Sequence, residues 1–134
     1  MKIKSIYFFI LLFSIATISC KKGEGLGGKA TITGKVFVKS YNSTGSLVLK
    51  EYYGLDEDVY IVYGDNDYYD DKIATHFDGS YKFEYLMPGT YTIYTYSKDV
   101  TGNNTNPKIV LKKEVTITDK KEVVELDDFI IDDN

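Results

Sequence analysis

The chain reads as an all-β protein, an antiparallel sandwich of short strands, on three observations. Apolar residues recur with a period of two from Ala30 onward, the pattern of strands with one buried face. Thr, Val, Ile and Tyr dominate these runs, and β-branched and aromatic side chains favour strands over helices. Gly, Asn or Asp punctuates the chain every few residues, so no window is long enough for a helix.

The strands follow in order. Ile32, Val36 and Val38 share one face of the first, with Thr31, Thr33, Lys35 and Lys39 on the other. Leu47 to Tyr53 and Val59 to Tyr63 supply two more, and Lys72 to His76 a short one. Tyr81, Phe83 and Tyr85 alternate with Lys82 and Glu84, which places all three aromatics in the core. Tyr91, Ile93 and Thr95 alternate with Thr92, Tyr94 and Tyr96. Ile109 to Leu111, Val115 to Thr118 and Val123 to Ile131 complete seven to nine strands. The acidic stretch Asp65 to Asp71 and the polar stretch Lys98 to Asn106 are the long loops, where a rigid sandwich commonly carries function.

Ahead of the strands, Lys2 and Lys4 precede an apolar run from Ile6 to Ile18 that is broken by Tyr7, Ser14 and Thr17. This run is shorter than the roughly 20 residues a spanning helix needs and has the layout of a cleaved export signal. Thr17-Ile18-Ser19-Cys20 resembles a bacterial lipobox. The resemblance implies that residues 1–19 are removed as a signal peptide and that Cys20, the one cysteine of 134 residues, carries lipid. A single acyl chain binds a bilayer only reversibly, so several chains are needed for permanent anchorage. Residues 20–29 then form the lipidated cysteine and a Gly-rich flexible tether, and residues 30–134 the sandwich domain. Lys21 and Lys22 stand where surface-exported lipoproteins commonly carry acids. The expected location is therefore the outer membrane, on its periplasmic face rather than the cell surface.

Charge narrows the partners. The formal net charge of −4 becomes −6 once Lys2 and Lys4 leave with the signal. An acidic surface repels phosphate backbones, which argues against nucleic acid. All sixteen basic residues are lysine, so the planar fork that grips anions bidentately is missing.

The segment Thr75 to Ser97, THFDGSYKFEYLMPGTYTIYTYS, is the most specific in the chain. Thr75, Asp78-Gly79, Tyr81, Phe83, Leu86, Pro88-Gly89 and Tyr91 resemble the signature of the carboxypeptidase regulatory-like domain, in the prealbumin-like (transthyretin-like) superfamily. Gly34-Lys35-Val36-Phe37-Val38 is similar to its opening strand. The resemblance implies a Greek-key sandwich of about seven strands and a non-catalytic accessory module. Asp78-Gly79 suits a tight hairpin turn, and Pro88-Gly89 the central positions of a type II turn.

Candidate chemistry is sparse. His76 is the only histidine, so a zinc site with two His ligands cannot be assembled, and no enzyme is expected. Asp65, Asp67, Asp70 and Asp71 lie close enough in sequence to suggest Ca²⁺ ligands, or a solvated Asp-rich turn; no other cofactor is implied. Tyr94 and Tyr96 point away from the core and are expected to be exposed or to meet a partner, either as a sugar-stacking face or as strand formers under a loop. The expected function is a membrane-anchored, non-catalytic binding or assembly module of the cell envelope with a protein partner, the alternative being a surface carbohydrate-binding or adhesion lipoprotein.

Overall fold

The computed structural model describes residues 23–102 and 107–134. The expected signal peptide and lipobox, Cys20 included, lie outside the described residues. Nine strands form two sheets, and the described residues contain no helix. The first sheet is organised by β1 (Leu26–Tyr41), which pairs antiparallel with β5 (Ser80–Leu86) over its first half and with β2 (Val48–Tyr53) over its second. The change of partner falls at Val36: its N–H donates to the Gly79 carbonyl and its carbonyl accepts from the Gly54 N–H. The second sheet runs β4-β3-β6-β7, from β4 (Asp71–Ala74), β3 (Asp58–Tyr63), β6 (Gly89–Lys98) and β7 (Lys108–Ile117), antiparallel throughout.

Two features depart from the sequence reading. Ile109 to Leu111 and Val115 to Ile117 belong to one long strand, β7, rather than two, and Val123 to Ile131 divides into β8 (Val123–Glu125) and β9 (Phe129–Asp133). Both pair parallel with β1, so the sandwich is not antiparallel everywhere.

The core lies between the sheets. Ile32, Val36, Val38, Phe129 and Ile131 of the first sheet face Val59, Ile61, Tyr91, Ile93, Val115 and Ile117 of the second. Alternation holds through Tyr81 and Phe83, which are buried, and then fails. Tyr85, expected in the core, is 67% exposed, and Leu86 takes the inward place. The cause is a bulge: Leu86 lies opposite both Leu26 and Ala30 of β1, and Tyr85 adopts φ of +61°, which turns its side chain outward. β2 is an exposed edge strand along its whole length, with Lys50 and Glu51 at its middle. Charges on an edge disfavour pairing with further strands.

The signature residues act through backbone bonds. Thr75, almost completely buried, donates its hydroxyl to the Gly54 carbonyl at 2.6 Å and accepts the Glu57 N–H at 2.9 Å, which ties the β2–β3 turn to β4. The Asp78 carboxylate accepts both the N–H and the hydroxyl of Ser80, and Gly79 has the expected positive φ, +75°. Gly89 at +155° is far from the roughly +80° that a type II turn requires. A side chain there would collide with Glu24, whose Cγ lies 2.3 Å from the position of a Cβ.

Glu24 belongs to the segment read as a flexible tether, and that reading is corrected here. Strand β1 begins at Leu26, not Ala30. The Gly25 N–H donates to the Tyr91 hydroxyl at 3.0 Å, and the Gly25 carbonyl accepts the Met87 N–H at 2.8 Å. Tyr91 in turn donates to the Met87 carbonyl at 2.7 Å. Gly28 passes so close to β5 that a Cβ would sit 1.8 Å from the Leu86 oxygen. The glycines here allow close approach of two backbones rather than freedom of the chain.

Candidate ligand groove

A groove opens where β3 begins and β6 and β9 end. Asp56, Glu57 and Asp58 form one wall, Tyr96 and Lys98 of β6 with Lys108 of β7 another, and Asp132 and Asp133 of β9 a third. Its volume is about 280 Å³. The scaffold beneath is fixed by hydrogen bonds from the inward faces: Thr95 Oγ1 donates to the Asp58 carbonyl at 2.8 Å, and the Asp132 N–H donates to Ser97 Oγ at 2.9 Å. Lys98 forms an ion pair with Asp133 and donates to the Asn134 carbonyl.

Beside the groove, on the outer face of the second sheet, four tyrosines pack together. Tyr60 and Tyr94 are directly opposite across β3 and β6, with rings parallel at 4.8 Å between centroids. Tyr96 meets both edge to face, and Tyr69 from the β3–β4 loop meets Tyr60 in the same way. Lys72 lies over the Tyr60 ring and Lys108 over the Tyr96 ring. Tyr94 is therefore half-buried by its neighbours, while Tyr96 keeps 38% of its surface exposed. Burial raises the phenol pKa of Tyr60, with the Asp58 charge adding to it, and burial likewise raises that of Tyr94, with Tyr96 adding to it. The rings of Tyr60 and Tyr94 are therefore neutral at physiological pH.

The groove is electrostatically uneven, with five carboxylates on its walls against the amines of Lys98 and Lys108. Glu57 bears the consequence. Partial burial, then the charges of Asp133 and Asp58, raise its pKa above the usual 4.5, and Lys98 offsets this only in part. A carboxyl whose folded pKa is raised destabilises the fold above that pKa and ceases to do so below its unfolded value. Glu57→Gln is accordingly expected to raise the melting temperature at pH 7, with the gain shrinking as pH falls and vanishing below about pH 4. Equal melting temperatures for the two proteins at pH 7 would contradict this.

In the acidic loop the four aspartates do not converge on one point. Asp70 turns inward on its own loop, accepting the Tyr63 N–H at 2.7 Å and both oxygens' bonds from the Asn66 amide. Asp71 accepts the Lys72 N–H, and Asp65 and Asp67 are exposed. Among the described residues no three acidic, His or Cys side chains gather in a way that could hold a metal ion. Hydrogen bonding to the backbone, which Asp favours in turns, explains the composition of this loop. Millimolar Ca²⁺ against chelator is expected to leave the melting temperature unchanged; a clear rise would contradict this. His76 is exposed on the β4–β5 turn, and its ring makes no hydrogen bond among the described residues.

Of the site residues read from sequence, the structure brings Tyr94 and Tyr96 together and disperses the aspartates. It adds Tyr60, Tyr69 and the carboxylates at the two strand ends. The outward position of Tyr60 is readable from its alternation with Val59 and Ile61, but the pairing that sets it against Tyr94 is a long-range event.

No protein-family model matches the chain, and no curated protein matches it. Among solved structures, the chain is similar to a protein from Pseudomonas aeruginosa to which carbohydrate binding is provisionally attributed. The two share 14% identity over 81% of this chain and 90% of that one, with a TM-score of 0.47.

Proposed function

We propose that this chain is a lipid-anchored, non-catalytic binding module of the bacterial envelope, held in the outer membrane through Cys20 and facing the periplasm. Its ligand surface is the groove between β3, β6 and β9 with the adjoining tyrosine face. The observation that carries the reading is the groove itself: an open cleft with a partly exposed aromatic ring, two amines and an excess of carboxylates held on rigid strand ends. Such a surface can bind and orient, whereas the groove offers no paired nucleophile and base for a reaction. The partner in this reading is another envelope protein.

Exposure of Tyr96 favours a second reading, carbohydrate binding or adhesion, because an aromatic ring beside carboxylate acceptors suits the apolar faces and hydroxyls of a sugar. The excess of carboxylates and the absence of arginine point to an uncharged glycan in that case. The two separate in one experiment: cross-linking of tagged full-length protein in native membranes, with Cys20→Ala as the mislocalised control. One envelope protein recovered with the anchored form alone is the result expected of the first reading. Recovery of glycan that is lost in Tyr96→Ala supports the second, and recovery of neither overturns both.

A further inference from the structure

The end of the sandwich from which the chain leads back to Cys20 carries a second cleft, of about 360 Å³, between Met87, Pro88 and Gly28 on an apolar floor and Lys29, Lys120 and Lys121 at the rim. Exposed Leu26 and Val123 flank it. The lysines come from two separate segments. Lys29 belongs to β1, and Lys120 and Lys121 form the turn between β7 and β8. The carboxylate of Glu122 in that turn is directed to its own backbone, accepting the N–H groups of Thr118 at 2.7 Å and Asp119 at 3.1 Å and the Thr118 hydroxyl at 3.2 Å. These bonds hold its pKa below the usual range, and the Asp119 carboxylate accepts the Lys121 N–H, so both acids of the turn are tied to its backbone.

The position of this cleft is constrained by the bonds of Gly25. A Gly-rich tether over residues 20–29 would let the domain tumble. Instead the chain is fixed from Gly25 by Tyr91 and Met87, so five residues at most, or about 18 Å of fully extended chain, separate the fixed point from Cys20. Beyond the bulge at Leu26 and Ala30, residues 30–41 of β1 carry the chain about 36 Å away at roughly 3.3 Å per residue, so the β1–β2 turn lies at the far end of the molecule. The acidic β3–β4 loop leaves the near end from the opposite side of the second sheet, since β4 and β7 are its two edges.

The geometry points to a docking surface: the cleft of Lys29, Met87, Pro88, Lys120 and Lys121 lies on the anionic headgroup layer of the bilayer in which the chain is anchored. This rests on the reading of Cys20 as the lipid-bearing residue. Lysines within a Debye length of an anionic surface are attracted to it, and the apolar floor with Leu26 suits the headgroup boundary. The acidic loop starts at the same end, where Gly64 lies beside Glu24, but on the opposite edge of the second sheet, so anionic headgroups repel it while they attract the lysine side and the domain tilts lysine side down. The domain is thus seated at one end rather than swinging on a leash.

The test uses the full-length acylated protein in vesicles of phosphatidylethanolamine, with or without phosphatidylglycerol and with a spin-labelled lipid as quencher. Because Cys20 is the one cysteine and its thiol is blocked by lipid, a fluorophore can be placed at Val123→Cys beside the cleft or at Ser43→Cys on the β1–β2 turn. Quenching is expected to be several-fold greater at position 123 than at 43 and to increase with phosphatidylglycerol. It should fall in 1 M salt and in the combined Lys29→Gln, Lys120→Gln, Lys121→Gln variant, while that variant still floats with the vesicles. Equal quenching at the two positions, or quenching at 123 unaffected by the three substitutions, would overturn the docking surface with the anchor intact. A protein that does not float at all would overturn the anchor, and the docking surface with it.

Discussion

Alanine in place of Gly28 is expected to release the start of β1 from the sandwich. The added Cβ would lie 1.8 Å from the Leu86 oxygen and 2.4 Å from its carbonyl carbon. Both are backbone atoms of β5, held by pairing to β1 on one side and by the Met87 bond to Gly25 on the other. No rotamer change relieves the overlap, so the two strands must part where Leu86 faces both Leu26 and Ala30. Overpacking in a well-packed region costs about 1–3 kcal/mol, and a backbone collision belongs at the upper end. Residues from Ala30 onward keep their own pairing with β5, β8 and β2. The expected result is a folded protein with a lower melting temperature in which cleavage after Lys29 by a lysine-specific protease is greatly accelerated. A variant as resistant as the parent would show that the segment before Ala30 does not pass against Leu86.

The second large effect is a contrast between two completely buried tyrosines. Tyr91 and Tyr81 are both fully inaccessible, yet removal of their hydroxyls is expected to act in opposite directions. The Tyr91 hydroxyl accepts from Gly25 and donates to Met87. Phenylalanine there leaves a buried N–H unpaired and takes a partner from the Met87 carbonyl, at about 1–3 kcal/mol for each buried group left unsatisfied. At roughly 4–8 °C per kcal/mol for a domain of about this size, the loss is easily read in a thermal melt. The Tyr81 hydroxyl has no hydrogen-bond partner among the described residues, and burial, with a smaller contribution from Asp128, pushes its pKa far above the usual phenol value. Tyr81→Phe removes an unpaired polar group from the core and is expected to be neutral or stabilising. Equal destabilisation by the two substitutions would contradict the hydrogen-bond assignments.

Much of the strand pattern was legible because burial on one face imposes a period of two, as in Ile32, Val36 and Val38 or Tyr91, Ile93 and Thr95. The turns between Thr75 and Tyr91 were legible for a related reason, since residues there make local bonds such as Ser80 to Asp78 and Tyr91 to Met87. What escaped depends on pairing between distant segments. Tyr85 obeys the alternation in sequence and breaks it in the fold, because the bulge opposite Leu26 and Ala30 exists only once β1 meets β5. The parallel pairing of β8 and β9 with β1, and the stacking of Tyr60 on Tyr94, are likewise invisible to local periodicity. Composition misled at residues 24–28, where glycines resemble a linker but are needed for close approach. The Asp65 to Asp71 loop resembled a cation site because residues near in sequence need not converge. The groove carboxylates gather from Asp56 to Asp58 and from Asp132 and Asp133, more than seventy positions apart.

The most direct test of the ligand groove is a photo-activated cross-linking phenylalanine placed at position 96 of the full-length protein in its native envelope, with the same group at position 84 on the outer face of the first sheet as the control. An aromatic photoprobe preserves the ring at 96 and reports what touches it. The expected result is one defined envelope component attached at 96 and none at 84. No adduct at 96, or the same adducts at both positions, would contradict the assignment of the groove and its tyrosine face as the surface through which this protein binds.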